Sequence, residues 1–166
     1  MKILVFLHGT ILMHQNGIDK TREERVKQVV EKESSVFDYI SYVPITNAVK
    51  KLQTWESEGS EIIYLSSHKR IEDVAKDKVV LEKHGFPVGQ VLYRENNEEY
   101  KDIIERIVPD ILIEDNCESI GGENKMSITY VSPEIKKKIK SIVVKEFEGI
   151  DSLPNDITQL LNFSND

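Results

Sequence analysis

Unbroken hydrophobic runs alternate with amphipathic stretches along the chain. The runs near residues 2–7, 61–65, 90–93 and 110–113 are short and flanked by polar or turn-forming residues, which predicts buried strands. A further strand is predicted over 127–131. Strands that alternate with helices predict parallel pairing through right-handed crossovers, and therefore an α/β fold with helices against a parallel sheet.

The stretches between these runs show helical periodicity and capping residues, which predict helices. Thr21 and Glu24 have the spacing of a capping box and are predicted to open a polar helix. Thr46 is predicted to cap a second helix that ends near Gly59. A third helix is predicted over 71–83.

The C-terminal half continues the alternation. Pro133 is predicted to start a short lysine-rich helical turn, residues 142–147 fit either helix or strand, and 154–161 is typical of a closing helix. Asn97 is predicted to cap a fourth helix, which carries the clearest apolar stripe of the chain: Tyr100, Ile103, Ile104 and Ile107.

The order of these elements predicts where a ligand would bind. Sheets of this class commonly place the first strand in the middle with the fourth strand beside it, and the winding of the chain reverses between the two. Ligands bind at the carboxyl ends of the strands at such a point. The polar residues delivered there are predicted to form the functional site: His8, Gly9, Thr10, Ser66, Ser67, His68, Glu114, Asp115 and Asn116.

Composition and charge limit the function classes. With 166 residues, 39% of them hydrophobic, the chain is predicted to form one domain over 1–166. The net charge of −7 argues against coating nucleic acid, which needs surplus positive charge. The single cysteine, Cys117, cannot form an internal disulfide and favours a cytoplasmic protein. Neither a secretory signal nor a membrane-spanning run is predicted.

Four motifs occur in a specific order. They are "VFLHGTIL" (5–12), "IIYLSSHKR" (62–70), "EEYKDII" (98–104) and "PDILIEDN" (109–116). In this order and spacing the chain resembles the haloacid dehalogenase-like (HAD) superfamily over most of its length. The resemblance implies a three-layer Rossmann-like fold with a central parallel sheet, in which residues from about 14 to 44 form at most a small helical cap.

The resemblance also shows which catalytic groups are missing. Superfamily members use an aspartate after the first strand as the nucleophile on phosphorus, and a second aspartate as the acid. Phe6 and His8 stand at these two positions, so aspartyl-phosphate chemistry is excluded by residue type. An imidazole is able to act as a general acid or base or to accept a phosphoryl group. The alternative for His8 is a purely local hydrogen-bonding role.

Groups suited to phosphate binding are retained. The predicted substrate-binding set is Gly9, Thr10, Ser66, Ser67 and Lys101, which offer backbone amides, hydroxyls and an ammonium group. The predicted catalytic set is His8, Lys101 and Asp115.

A metal site is predicted in weakened form. The superfamily holds Mg2+ with the nucleophilic aspartate and the acidic motif after the fourth strand, and here only Glu114 and Asp115 remain. Mg2+ affinity is therefore predicted to be weak without a phosphate ligand. His8, His68 and Asp115 also suggest a two-histidine, one-carboxylate site for another divalent metal.

Two functions remain open from the sequence. The first is a divergent phosphohydrolase or phosphotransferase that acts on a small phosphorylated molecule through His8. The second is a non-catalytic domain that binds or senses such a molecule, because the anion-binding groups persist while the nucleophile is Phe6. Neither function involves nucleic acid or a membrane.

Overall fold

The computed structural model describes residues 1–165, and its centre is a five-stranded parallel sheet. The strand order is β5-β4-β1-β6-β7, which confirms the predicted central place of the first strand. The sheet strands are β1 (Lys2–Phe6), β4 (Glu61–Leu65), β5 (Val91–Leu92), β6 (Ile111–Asp115) and β7 (Lys140–Val144); an antiparallel ribbon is formed by β2 (Leu12–Met13) and β3 (Val43–Pro44).

Helices cover both faces of the sheet and complete a three-layer, Rossmann-like α/β fold. None of the helices described is long and apolar enough to cross a membrane. One buried cluster joins a sheet face to α2, α3 and α6, and a second joins the other face to α4 and α5. The helices are α1 (Arg22–Val30), α2 (Ala48–Ser57), α3 (Ile71–Lys83), α4 (Tyr100–Ile107), α5 (Pro133–Lys136) and α6 (Ile157–Leu161).

Alternation along β1 explains what Phe6 does in this fold. Ile3 and Val5 belong to the cluster under α2, whereas Leu4 and Phe6 belong to the cluster under α4. The Phe6 ring packs edge-to-face against Tyr100, with ring centroids 5.0 Å apart. The position at which the superfamily resemblance implies a nucleophile is therefore part of the hydrophobic core.

The fifth strand of the sheet differs from the sequence-based prediction. The strand predicted over 127–131 is wrong, because Ser127–Tyr130 forms a 3-10 turn. Its first amides donate to the Glu114 carboxylate and not to a neighbouring strand. The strand at the edge beside β6 is β7, which begins before the ambiguous stretch 142–147.

Two predicted helix caps are displaced by one or two residues. Asn47, not Thr46, stands at the N-cap of α2, and Thr46 has a positive φ of 49°. Glu99, not Asn97, caps α4 and forms a capping box with Asp102. In contrast, the capping box of Thr21 and Glu24 at α1 is confirmed.

The segment between β2 and β3 lies beside the carboxyl edge of the sheet. It holds α1 and three short 3-10 turns, and its side chains Val29, Val36 and Tyr42 line the cavity described below. Arg25 anchors the segment by donating to the carbonyl of Phe147, at 2.9 Å. Its role as a cap stays a prediction.

Candidate active site at the carboxyl edge of the sheet

A cavity of about 220 Å3 opens where β1 and β6 end side by side. Both His8 and Asp115 line it, as expected from the sheet order. Parallel strands deliver their following residues to one edge, so the loops after β1, β4 and β6 all contribute. The polar lining consists of His8, Tyr42, Ser67, Glu114, Asp115, Ser119, Lys125 and Glu146.

The His8 ring is held between a serine and an aspartate. Its Nε2 lies 2.9 Å from Oδ1 of Asp77, and its Nδ1 lies 2.6 Å from Oγ of Ser67. Asp77 is almost fully buried, at 2% exposure, and also accepts a 2.5 Å hydrogen bond from Ser66 Oγ. Because a carboxylate only accepts hydrogen bonds, it favours the proton on Nε2 and leaves Nδ1 with a free lone pair.

Asp77 is a site residue that the sequence interpretation missed. It lies on α3 among the buried residues Val74, Val80 and Leu81, so it points inward from an amphipathic helix. A buried carboxylate needs partners, and His8 is one of them. The sequence does contain one indication of its role: Asp77 falls within the apolar stripe of α3, where an acidic residue is unusual.

His68 completes a compact group with His8 and Asp77. The His68 Nε2 lies 3.7 Å from Asp77 Oδ1, and the two imidazole rings are 4.5 Å apart. That Nε2 is buried and has no hydrogen-bond partner among the described residues. Burial lowers the pKa of His68, and the nearby His8 adds to the effect. The carboxylate beside both histidines is Asp77, where the sequence suggested Asp115.

Thr10 and Asp115 form a second buried contact beneath the cavity. Thr10 Oγ1 donates to Asp115 Oδ2 at 2.9 Å, and the amide of Cys117 donates to Oδ1 at 2.8 Å. Gly9 has a φ of +83°, and a Cβ there would lie 3.0 Å from Asp115 Oδ2. Glycine therefore suits this position by conformation and by space.

The Glu114 carboxylate accepts hydrogen bonds from the 3-10 turn Ser127–Tyr130 and does not point into open solvent. Its Oε2 accepts from the amide and the hydroxyl of Ser127, both at 2.8 Å, and its Oε1 accepts from the amide of Ile128 at 3.1 Å. Burial raises the pKa values of both Glu114 and Asp115, although these hydrogen bonds oppose the shift.

These contacts bear on the predicted Mg2+ site. Every carboxylate oxygen of Glu114 and Asp115 already accepts a hydrogen bond, and Phe6 supplies no ligand. Mg2+ requires near-ideal octahedral oxygen ligation, so this donor set fits it poorly. Among residues 1–165, ligand atoms of three side chains converge within 4.8 Å only at His8, His68 and Asp77. The Mg2+ role of Glu114 and Asp115 stays a prediction.

Positive charge lies in an adjoining cavity of about 360 Å3 that shares Tyr100 and Lys125 with the first. Lys101 lines this second cavity and not the first, and its Nζ is 3.6 Å from Glu99. Arg94 stacks on Tyr100 at 4.1 Å and donates to the carbonyl of Ser67 at 2.9 Å. Its buried Nε has no partner among the residues described. The structure thus separates Lys101 from His8 but places Arg94 close to Ser67.

Cys117 has no sign of nucleophilic activation. Burial raises the pKa of its thiol, and the carboxylates of Asp115 and Glu114 act in the same direction. A thiol is reactive as the thiolate, which this environment disfavours.

Glu146 is a third buried acid at the cavity, and it leads to a prediction about stability. Ser119 donates to it from its amide and its hydroxyl, at 2.6 and 2.7 Å. Burial raises its pKa, as it does for Glu114 and Asp115. An acid whose pKa is raised in the folded state stabilises the fold while protonated, and this contribution is lost as pH rises through the folded pKa.

We therefore expect Glu146→Gln to gain stability relative to the wild type as pH rises from about 4 to about 7. Urea unfolding at both pH values measures the difference. Glu148→Gln, at an exposed position two residues away, is the control and should show no such trend. A Glu146→Gln difference that is constant over this range would contradict the expectation.

Comparisons with known proteins show the fold. No family model matches the sequence, and no curated protein matches it. A class C acid phosphatase from Bacillus anthracis, solved with tungstate bound, superimposes with a TM-score of 0.53 at 16% identity, over 89% of this chain and 68% of the phosphatase. A chain of the Pnkp1/Rnl/Hen1 RNA repair complex superimposes with a TM-score of 0.53 at 14% identity. That match covers 87% of this chain and 43% of the repair protein, so this chain spans less than half of it.

Proposed function

We propose that this protein is a phosphohydrolase for small phosphorylated molecules in which Ser67, His8 and Asp77 act together. The observation that carries the proposal is the hydrogen-bonded series from Ser67 Oγ through the His8 ring to the buried Asp77, in which Ser67 and His8 line the cavity. A hydroxyl hydrogen-bonded to an imidazole, which in turn is hydrogen-bonded to a buried carboxylate, is the arrangement that activates a serine nucleophile.

The proton positions determine the direction of the chemistry. His8 donates from Nε2 to Asp77, so its Nδ1 is free to accept the proton of the Ser67 hydroxyl. As this proton moves to Nδ1, Ser67 Oγ forms a bond to phosphorus and the bond from phosphorus to the leaving oxygen breaks. The leaving oxygen then takes the proton from His8, and Asp77 stabilises the imidazolium in between.

The second half of the reaction returns the enzyme to its starting state. His8 Nδ1 accepts a proton from water, and the resulting hydroxide attacks the phosphoserine. Inorganic phosphate leaves, and Ser67 Oγ recovers its proton from His8. With an alcohol in place of water, the same residues would transfer the phosphoryl group.

Nearby positive groups support an anionic substrate. Arg94 donates a hydrogen bond to the carbonyl of Ser67, and Lys101 and Lys125 line the adjoining cavity. Guanidinium and ammonium groups stabilise the charge on a transferring phosphoryl group. The phosphatase of the same fold was solved with tungstate, a tetrahedral oxyanion like phosphate.

A non-catalytic binding role is the second candidate. It is favoured by Phe6, which is buried in the core where the superfamily has its nucleophile. The cationic cavity around Arg94, Lys101 and Lys125 would then bind a phosphorylated ligand without turnover.

A phosphomonoester panel separates the two candidates. Wild-type protein should release phosphate, and Ser67→Ala and His8→Ala should each lower kcat by about 10²–10⁴-fold, because each removes a partner of the proton transfer. The matched controls are Ser57→Ala, at an exposed serine of α2, and His84→Ala, at the end of α3.

Mass spectrometry after rapid quenching should place a phosphoryl group on the peptide that contains Ser67. Turnover that survives Ser67→Ala unaltered would contradict the proposed nucleophile. Absence of turnover, together with a rise in melting temperature with phosphorylated ligands that is lost in Lys101→Ala, would support the binding role instead.

A further inference from the structure

We infer that His8, His68 and Asp77 form a binding site for a transition-metal ion such as Zn2+, and that metal binding there inhibits the proposed reaction. The site is separate from the acidic pair Glu114 and Asp115, where the superfamily resemblance places Mg2+. Only the inhibition rests on the proposed function, because metal binding is measured independently of turnover.

The geometry of the three ligand atoms fits a tetrahedral ion. His8 Nε2 and His68 Nε2 lie 2.9 and 3.7 Å from Asp77 Oδ1, and the three residues offer one ligand atom each within 4.8 Å of one another. Tetrahedral Zn2+ with bonds of about 2.0–2.2 Å places neighbouring ligand atoms about 3.3–3.6 Å apart. Shifts of a few tenths of an ångström would bring both histidine–Asp77 pairs to this spacing, and small rotations of the two imidazole rings would adjust the distance between them.

One buried nitrogen without a hydrogen-bond partner lies within this group of ligands, where a metal ion would supply the partner. The Nε2 of His68 is buried without a hydrogen-bond partner among residues 1–165. Such a nitrogen loses its hydration on folding and gains nothing in return, unless an ion or a water fills the space beside it.

The surroundings of the ligands support the same assignment. Ser66 Oγ donates to the second oxygen of Asp77, and Ser67 Oγ lies against Nδ1 of His8. Hydrogen bonds to the far side of ligating histidines and carboxylates orient them and strengthen metal binding. Two imidazoles and one carboxylate suit Zn2+ better than Mg2+, which prefers oxygen ligands.

Inhibition follows from the position of one proton. A metal on His8 Nε2 occupies that lone pair, so the neutral ring must carry its proton on Nδ1. His8 then donates to Ser67 Oγ and has no lone pair with which to accept the serine proton. Metal binding and proton transfer therefore exclude each other at His8.

The first test measures binding alone. Titration of wild-type protein with Co2+ should produce the visible absorption of a tetrahedral site, and Zn2+ should abolish it by displacement. His68→Asn should weaken Zn2+ binding in calorimetry by more than about 100-fold, beyond the 10–100-fold typical of losing a hydrogen-bond partner of a ligand. His84→Asn is the matched control and should retain the affinity.

A second measurement guards against a variant that fails to fold. In wild-type protein, Zn2+ should shift the ring-nitrogen resonances of His8 and His68 and leave those of His14 and His84 in place. Co2+ absorption that is absent, or shifts confined to other histidines, would overturn the site.

The inhibition is tested separately, by measuring turnover with and without Zn2+. Stoichiometric Zn2+ should lower wild-type turnover at least tenfold, a chelator should restore it, and His68→Asn should be insensitive relative to its own metal-free rate. Turnover that rises with Zn2+ would overturn the inhibition. Zn2+ binding at this site in a protein that never turns over a phosphoester would support the metal site and count against the proposed function.

Discussion

Replacing Asp77 by asparagine is expected to lower phosphomonoester turnover by about 10²–10⁴-fold, with little change in KM. Ser66 Oγ accepts from the amide of His68 and donates to the side chain at position 77, so the asparagine oxygen should face Ser66 and its NH2 group should face His8. His8 Nε2 would then become the acceptor and Nδ1 would carry the proton. The ring would then donate to Ser67 Oγ, which lies 2.6 Å away, and could not take its proton. The loss arises from the wrong tautomer, because the side chain at position 77 keeps its size.

The measurement is steady-state kinetics over a range of pH, with Asp73→Asn as the matched control. Asp73 lies one turn earlier on α3 and pairs with Lys76, whereas the carboxylate hydrogen-bonded to His8 is that of Asp77. In the proposed reaction Asp77 acts through the general base His8 and does not touch the substrate, so Asp77→Asn should also displace the acidic limb of the pH profile, on which a general base must lose its proton. A turnover and pH profile equal to those of Asp73→Asn would contradict the role of Asp77.

The central sheet was predictable because its inner strands are unbroken apolar runs. Strands buried on both faces, such as β1 and β6, leave a continuous hydrophobic signature, and alternation with helices then determines parallel pairing. The strand β7, at the edge beside β6, leaves a weaker signature in the sequence. It is only partly buried, and its sequence also fits a helix.

Strand order predicts which edge of the sheet carries the candidate site residues, but not the side chains that contact them. Strand order places His8, Ser67 and Asp115 around one cavity, and sequence position alone is enough for that. Asp77 comes from the middle of a helix, and its direction depends on how α3 packs against the sheet. Side-chain direction is likewise why Lys101 lies in the adjoining cavity and not beside His8.

Glu114 provides the second large expected effect, and it concerns stability. Replacing Glu114 by alanine should lower the free energy of unfolding by about 2–4 kcal/mol, because the buried donors of Ser127 and Ile128 lose their acceptor. Relief of the buried charge offsets part of this cost, since burial raises the pKa of Glu114. The lost hydrogen bonds are expected to prevail because two of the three donors are backbone amides that cannot rotate away.

Urea unfolding of three variants tests this account of Glu114. Glu114→Gln keeps one carbonyl acceptor and should lose less stability than Glu114→Ala. Glu134→Ala, at an exposed position after the same turn, should change stability by no more than about 0.5 kcal/mol. If Glu114→Ala were as stable as the wild type and had instead lost affinity for Mg2+, the carboxylate would be the metal ligand that the superfamily resemblance implies. A loss of stability that Mg2+ does not influence would make Glu114 the residue that holds the 127–130 turn against the end of β6.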